Sequence, residues 1–192
     1  MQPNKFKALV VKTRTVRRFC QANRVKRADL LALVNLARLS ASGGNLQPLK
    51  YIVTCDPKRN AMIFPCLAWA AYLKTWAGPV EGERPAAYIV ILGDTSIRRE
   101  FGCDQGIAAQ SIMLGATAKG LSGCMLGSIR REELRQVLAV PAQYEILLVL
   151  ALGRPKEKVV LEALENGDIK YWRDARGRHH VPKRSMREIV LA

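Results

Sequence analysis

The sequence predicts a helix-rich α+β domain in which strands are separated by helices. Short β-rich apolar runs recur at 49–55, 86–92 and 145–152, each bounded by proline or glycine. Stretches with helical spacing lie between them, the longest at 104–119. At 192 residues, with 49% hydrophobic and 24% charged residues, the chain is long enough for one full core and short for two.

Taken in order, residues 29–39 (DLLALVNLARL) place apolar side chains at helical spacing after an acidic start and end in a Ser-Gly stretch. After Pro48, residues 49–55 form a strand closed by Asp56-Pro57, and a helix is expected to follow Pro57. The pattern changes near Pro85, and 86–92 reads as a buried strand. The helix at 104–119, stopped at Gly120, is apolar nearly all round, which implies burial in the core or at a subunit interface. Residues 120–127 suit a short strand and turn, 131–140 a helix ended by Pro141, and 145–152 a strand ended by Gly153. From Arg154 the chain is basic, weakly patterned and poor in core residues, as expected of a tail wrapped over its own surface or a partner's. The expectation is a single domain over 1–192 with a basic C-terminal arm from about 154.

No apolar run approaches the roughly 18 residues of a membrane span, and residues 1–5 lead into no signal-peptide apolar region. These features point to a soluble cytoplasmic protein. The five cysteines are odd in number, widely spaced and without a C-x-x-C pair, which argues against a disulfide framework or a metal site. A formal charge of +15 raises the question of nucleic acid. The basic residues, however, are spread along the chain and interleaved with acids, as in Arg130-Arg131-Glu132-Glu133, the pattern of a solvated helix face. Nonspecific polyanion binding is expected; a specific nucleic-acid or membrane partner is not.

Two segments carry the chemistry. Thr13-Arg14-Thr15-Val16-Arg17-Arg18-Phe19 clusters guanidinium groups around a hydroxyl, a set suited to phosphate. Ser40-Ala41-Ser42-Gly43-Gly44-Asn45-Leu46-Gln47-Pro48 offers small residues that let backbone approach a ligand, then two amides able to read a heterocycle edge. A phosphate grip with a ring-edge reader points to a nucleotide-like cofactor. The plainer readings are a basic surface turn and a helix C-cap leading into a strand. Trp69, Tyr72 and Trp76 fall on one helical face, either as core or interface or as cover for a flat substrate ring. The following stretch, 78–85, reads as a lid or interface loop.

With these segments, Gly120-Leu121-Ser122-Gly123-Cys124-Met125-Leu126-Gly127-Ser128, Leu152-Gly153-Arg154-Pro155 and the weaker Val181-Pro182-Lys183-Arg184-Ser185-Met186, the chain resembles the nitroreductase family of FMN-dependent flavoproteins over nearly its whole length. The resemblance implies an α+β sandwich with a central, mostly antiparallel sheet flanked by helices. It also implies an intertwined homodimer holding two FMN at its interface, often with swapped terminal arms. By resemblance, Arg14 and Thr15 hold the FMN phosphate, and Arg17 reaches the ribityl chain and the pyrimidine carbonyl. Ser42, Asn45 and Gln47 reach FMN from the opposite subunit, while Met125, Leu126, Gly127 and Ser128 run over the flavin. Arg184 matches a basic position near the phosphate, with a solvated surface charge as the other reading. The chain departs from the family in having Thr13 where relatives place arginine, with Lys12 as a possible substitute, and Ala41 where they place proline.

The function so implied is hydride transfer from NAD(P)H through FMN to a nitroaromatic, quinone or similar conjugated small molecule in a ping-pong cycle. The flavin carries the chemistry, so no catalytic side chain and no metal are required. Alternatives are a specialised flavin reaction, a flavin-binding or redox-sensing protein without turnover, and a flavin-free basic polyanion-binding protein.

Overall fold

Strand β2 (Ala87–Asp94) is buried along its whole length, which is why its sequence reads as a continuous apolar run. In the computed structural model, which describes residues 2–191, it sits inside a four-stranded sheet. Met1 and Ala192 of the expected 1–192 unit lie outside the described residues. β2 pairs antiparallel with β1 (Leu49–Thr54) on one side and β4 (Tyr144–Gly153) on the other. β3 (Ser122–Leu126) pairs antiparallel with β4, giving the order β1-β2-β4-β3. This is the expected antiparallel sheet.

Successive side chains of a strand point to opposite faces, and β2 feeds two cores. Ala87, Ile89 and Ile91 pack with Leu150 and Leu152 against α2 (Arg27–Arg38) and α4 (Asp104–Ala118). Tyr88, Val90 and Leu92 pack with Val149 and Ala151 against α3 (Pro57–Ile63) and α5 (Arg131–Leu138). Helices therefore cover both faces of the sheet. Ala108, Ala109, Ile112, Met113 and Ala116 of α4 are buried, while Gln110 is left exposed. α1 (Pro3–Lys12), which the sequence reading did not resolve, buries no residue and leaves Phe6 and Val11 about half exposed.

Two expectations are corrected. Residues 69–76 are not helical: they form turns in which Ala70 takes a left-handed φ of 44°, breaking the phase that would put three aromatics on one face. The tail beyond Arg154 is not unpatterned. Strands β5 (Val159–Ala163), β6 (Trp172–Arg173) and β7 (His179–Lys183) build a second sheet in the order β5-β7-β6, followed by α6 (Met186–Ile189). β7 contains Pro182, which ordinarily argues against a central strand. β6 pairs only with His179 and His180, so the side of β7 at Pro182 has no neighbour needing an N–H.

Candidate functional site

Segment 13–19 runs between α1 and the sheet. Thr15 bridges in parallel to Gly123, and the Val16 N–H donates to the Gly123 carbonyl at 2.8 Å. On the other side, the packing of β3 on β4 depends on glycine, because a Cβ at position 123 would lie 2.5 Å from the Ala151 carbonyl oxygen. The Phe19 N–H donates to the Glu83 carbonyl and the Lys156 N–H to the Arg18 carbonyl, both at 2.9 Å. Phe19 is fully buried.

The consecutive arginines then diverge. Arg18 forks onto Glu83 with bonds of 2.5 and 2.6 Å, a structural pair that Lys156 joins at 3.1 Å. These cations pull the Glu83 carboxyl down to about 2, the Arg18 bond being the main cause. Glu83 thereby ties down 78–85, and Gln21 Oε1 accepts from the Gly82 and Arg84 N–H groups, so this stretch is fastened rather than a free lid.

Arg14 and Arg17 instead line a cleft of about 380 Å³ together with Thr13, Thr15, Gln110, Met113, Met125, Tyr171, His179, Val181 and Lys183. Arg14 donates to the carbonyls of Thr13 and Val10, which orients it, and burial lowers its pKa. Arg17 lies over the Tyr171 ring at 4.6 Å, and its Nη1 is 3.1 Å from His179 Nε2. Burial pushes the His179 imidazole down to about 4, so it stands neutral. Beside them, burial pushes the Cys124 thiol up to about 11, which leaves no thiolate for nucleophilic work. The cleft thus presents three basic side chains, Arg14, Arg17 and Lys183, and no carboxylate.

Lys183 stands in the cleft where sequence reading favoured Arg184. On β7 the alternate residues His179, Val181 and Lys183 face the cleft. His180 instead bonds Glu162 at 2.9 Å and stacks on Trp172. Arg184 is half exposed and pairs with Glu188 at 3.4 Å. The period-two spacing of His179, Val181 and Lys183 was the available signal, in a stretch read only as a weakly patterned basic tail. Tyr171, His179, Gln110 and Met113 were likewise missed, since only the fold brings them to segment 13–19.

From the 125–128 block, only Met125 lines the cleft. Leu126 is core, and Gly127 and Ser128 are exposed at the end of β3, with Ser128 lining a separate open groove beside Trp69. The three aromatics go separate ways. Trp69 is buried against Phe64, Tyr72 packs on Tyr171 at 4.9 Å, and Trp76 lies under the Arg173 guanidinium at 4.1 Å. Only Tyr72 approaches the cleft, one ring behind its wall.

Ser42, Asn45 and Gln47 are not brought to this cleft within one chain. Asp104, at the start of α4, accepts from Ser42 Oγ at 2.6 Å and from the Gly43 N–H at 2.9 Å, while Ser42 Oγ accepts from the Gln47 N–H. Gly44, Asn45 and Gln47 all take left-handed φ values, between 52° and 59°. The turn directs the Asn45 and Gln47 side chains outward, where they are exposed and bond each other at 3.2 Å. Ser42 and Gln47 line a smaller pocket of about 140 Å³ with Asp104 and Tyr51.

The family model for the nitroreductase family matches residues 10–154, and the chain belongs to that family. A curated relative from Archaeoglobus fulgidus, whose name joins NADH dehydrogenase and NAD(P)H nitroreductase, is 25% identical over 157 residues, covering 78% of this chain and 85% of that one. Two solved structures share the fold at 22% identity. A nitroreductase family protein from Clostridium novyi NT has a TM-score of 0.67, covering 79% of this chain and 85% of its own. An FMN-dependent nitroreductase from Clostridium difficile R20291 has a TM-score of 0.66, covering 78% and 87%.

Proposed function

We propose that this protein is an FMN-dependent NAD(P)H oxidoreductase acting as a homodimer on nitroaromatic, quinone or similar conjugated acceptors in the cytoplasm. The observation that carries the reading is the cleft with three cations and no carboxylate, on a chain of the nitroreductase family. Such a lining demands an anionic, acceptor-rich ligand, and it fits the phosphate and ring carbonyls of a flavin mononucleotide.

In this reading Arg14, Thr15 and Lys183 hold the phosphate, and Arg17 approaches the ribityl chain and the pyrimidine edge. Arg184, half exposed, adds only to the surrounding positive field. Bound flavin supplies the two-electron chemistry, taking hydride from a reduced nicotinamide and passing reducing equivalents to the acceptor. Arg17 contributes a permanent positive charge beside the ring system, which favours the reduced, anionic form of the cofactor. Met125 and Met113 give the cleft an adaptable apolar wall. Donor and acceptor use one open face in turn, and no side chain acts as a nucleophile.

Completion of the site by Asn45 and Gln47 of a second copy agrees with their exposure and with their absence from the cleft lining in one chain; Ser42, part-buried and bonded to Asp104, would present the turn to that copy. The apolar side chains left exposed on α2, Leu31 and Leu36, and Leu39 just after it, support such an association. So do Met186, Ile189, Val190 and Leu191 at the end of the basic arm, which belongs to the same 1–192 domain.

The test is the visible spectrum of the purified protein and the identity of any chromophore released on denaturation. A yellow protein releasing about one FMN per chain, bleached by NADH or NADPH and recoloured by a quinone, is expected. Initial rates should give parallel double-reciprocal lines. A colourless protein that takes up no added FMN would overturn the reading.

A further inference from the structure

Three groups that hold Arg17, namely Glu157, Tyr171 and His179, come from beyond residue 154, where the family match ends, while the Cys124 thiol beside it comes from within the match. The Arg17 backbone N–H donates to Glu157, whose fully buried carboxylate also pairs with Arg173 at 2.9 Å. Glu157 is thereby engaged away from the guanidinium. That leaves the Tyr171 ring, which supports one face of the guanidinium, and His179, whose Nε2 lies 3.1 Å from Nη1.

Arginine has donors only and keeps its charge, so in this contact the guanidinium donates and Nε2 accepts. The accepting nitrogen carries no proton, which places the proton of the neutral ring on Nδ1. His179 is 1% exposed, so the ring is held by its surroundings and has little freedom to follow a moving arginine. The free rotamers of a long side chain are thereby restricted before any ligand arrives, which lowers the entropic cost of binding.

We infer that His179 is a positioning residue: its Nε2 holds the Arg17 guanidinium in the cleft, with Nη2 as the end left for the cofactor. The inference rests on the flavin reading above and adds to it a role for a residue outside the matched family region.

The first measurement is ¹⁵N NMR of the histidine rings in the cofactor-free protein. The chain has only two histidines, and His180→Gln assigns them. The Nδ1–H tautomer is expected at His179; an Nε2–H tautomer overturns the contact. The second is titration with FMN, followed by quenching of flavin fluorescence. His179→Leu is expected to weaken binding about tenfold, the loss of one hydrogen bond to a charged group. His179→Gln, whose amide oxygen can accept from Arg17, is expected to stay within about threefold of wild type. On an Arg17→Ala background, neither change should weaken binding further.

Equal losses for the two His179 variants, or losses that add to that of Arg17→Ala, would mean that His179 acts by packing alone and overturn the inference. Should His179→Leu fail to fold, the glutamine variant on both backgrounds and the tautomer decide. A wild-type chain that binds no FMN overturns the flavin reading instead, and the tautomer alone then decides the His179–Arg17 contact.

Discussion

Segment 13–19 and segment 42–47 both promise cofactor chemistry in sequence, yet they are built in opposite ways. The first is held from a distance: Glu83, Glu157, Tyr171 and His179 fix its arginines, the last across 162 positions of chain. The second largely holds itself, with Ser42 accepting from Gln47 and a single outside group, Asp104, anchoring its start. Distant contacts leave charged groups aimed into a walled cleft. Local closure leaves two amides on the surface, bonded to each other and open to solvent. The difference teaches that a segment fixed by distant partners and a segment closed on itself expose their polar groups differently, one into a walled cleft and one to the surface; in the function proposed above, a second copy brings the two together.

That comparison can be broken most directly at Arg17. Arg17→Ala should weaken FMN binding about a hundredfold, the cost of losing bonds from a charged donor, read by fluorescence titration. A loss below about threefold would show that the distant clamp serves folding alone.

Asp104→Ala tests the other half. Removing the buried acceptor leaves the Ser42 hydroxyl and the Gly43 N–H without their partner, and urea unfolding should show a loss of about 1–3 kcal/mol. Limited proteolysis should then cut at 40–48 before any other site, while the network around Arg17 stays protected.

Acid probes the first region, because two of the groups that clamp it have displaced pKa values. His179 is lowered from 6.5 to about 4, so the unfolded chain binds its proton first and stability falls as pH drops through that interval. Glu83 is lowered from 4.5 to about 2, so its contribution, complete above 4.5, is lost between those values. Melting temperatures measured from pH 7.5 to pH 3 should fall in two stages. His179→Gln should flatten the upper stage and Glu83→Gln the lower.

The smallest effect concerns neighbours on the arm. Lys183→Ala should weaken FMN binding about tenfold, and Arg184→Ala less than about twofold, because an exposed pair such as Arg184–Glu188 is worth little. Equal effects would show that the arm is repositioned when the cofactor binds.

How much of this was readable in advance follows from the range of the forces involved. Strand β2 and helix α4 were legible to within a few residues, since side-chain period and turn residues act over a handful of positions. Arg14 and Arg17 were singled out as candidate anion binders because guanidinium chemistry is a property of the side chain itself, and the fold places both in the cleft. The aromatic segment 69–76 was misread because spacing alone suggested a helix, while the chain turns at Ala70. β7 went unread because the chain beyond Arg154 is basic and poor in core residues, and its Pro182 is tolerable only because β6 is short.

What the amino-acid order alone decided was the main strands and helices between 27 and 153 and the two segments of candidate chemistry; the antiparallel sheet was expected from the family resemblance. The folded chain decided which arginine is structural and which faces the cleft, because that depends on where Glu83 and His179 arrive. It also decided that Lys183 rather than Arg184 joins the cleft, through the alternation of a strand whose pairing is set by partners distant in sequence. Periodicity and side-chain chemistry are local properties, whereas burial, orientation and charge pairing are relations between residues that only tertiary packing brings together.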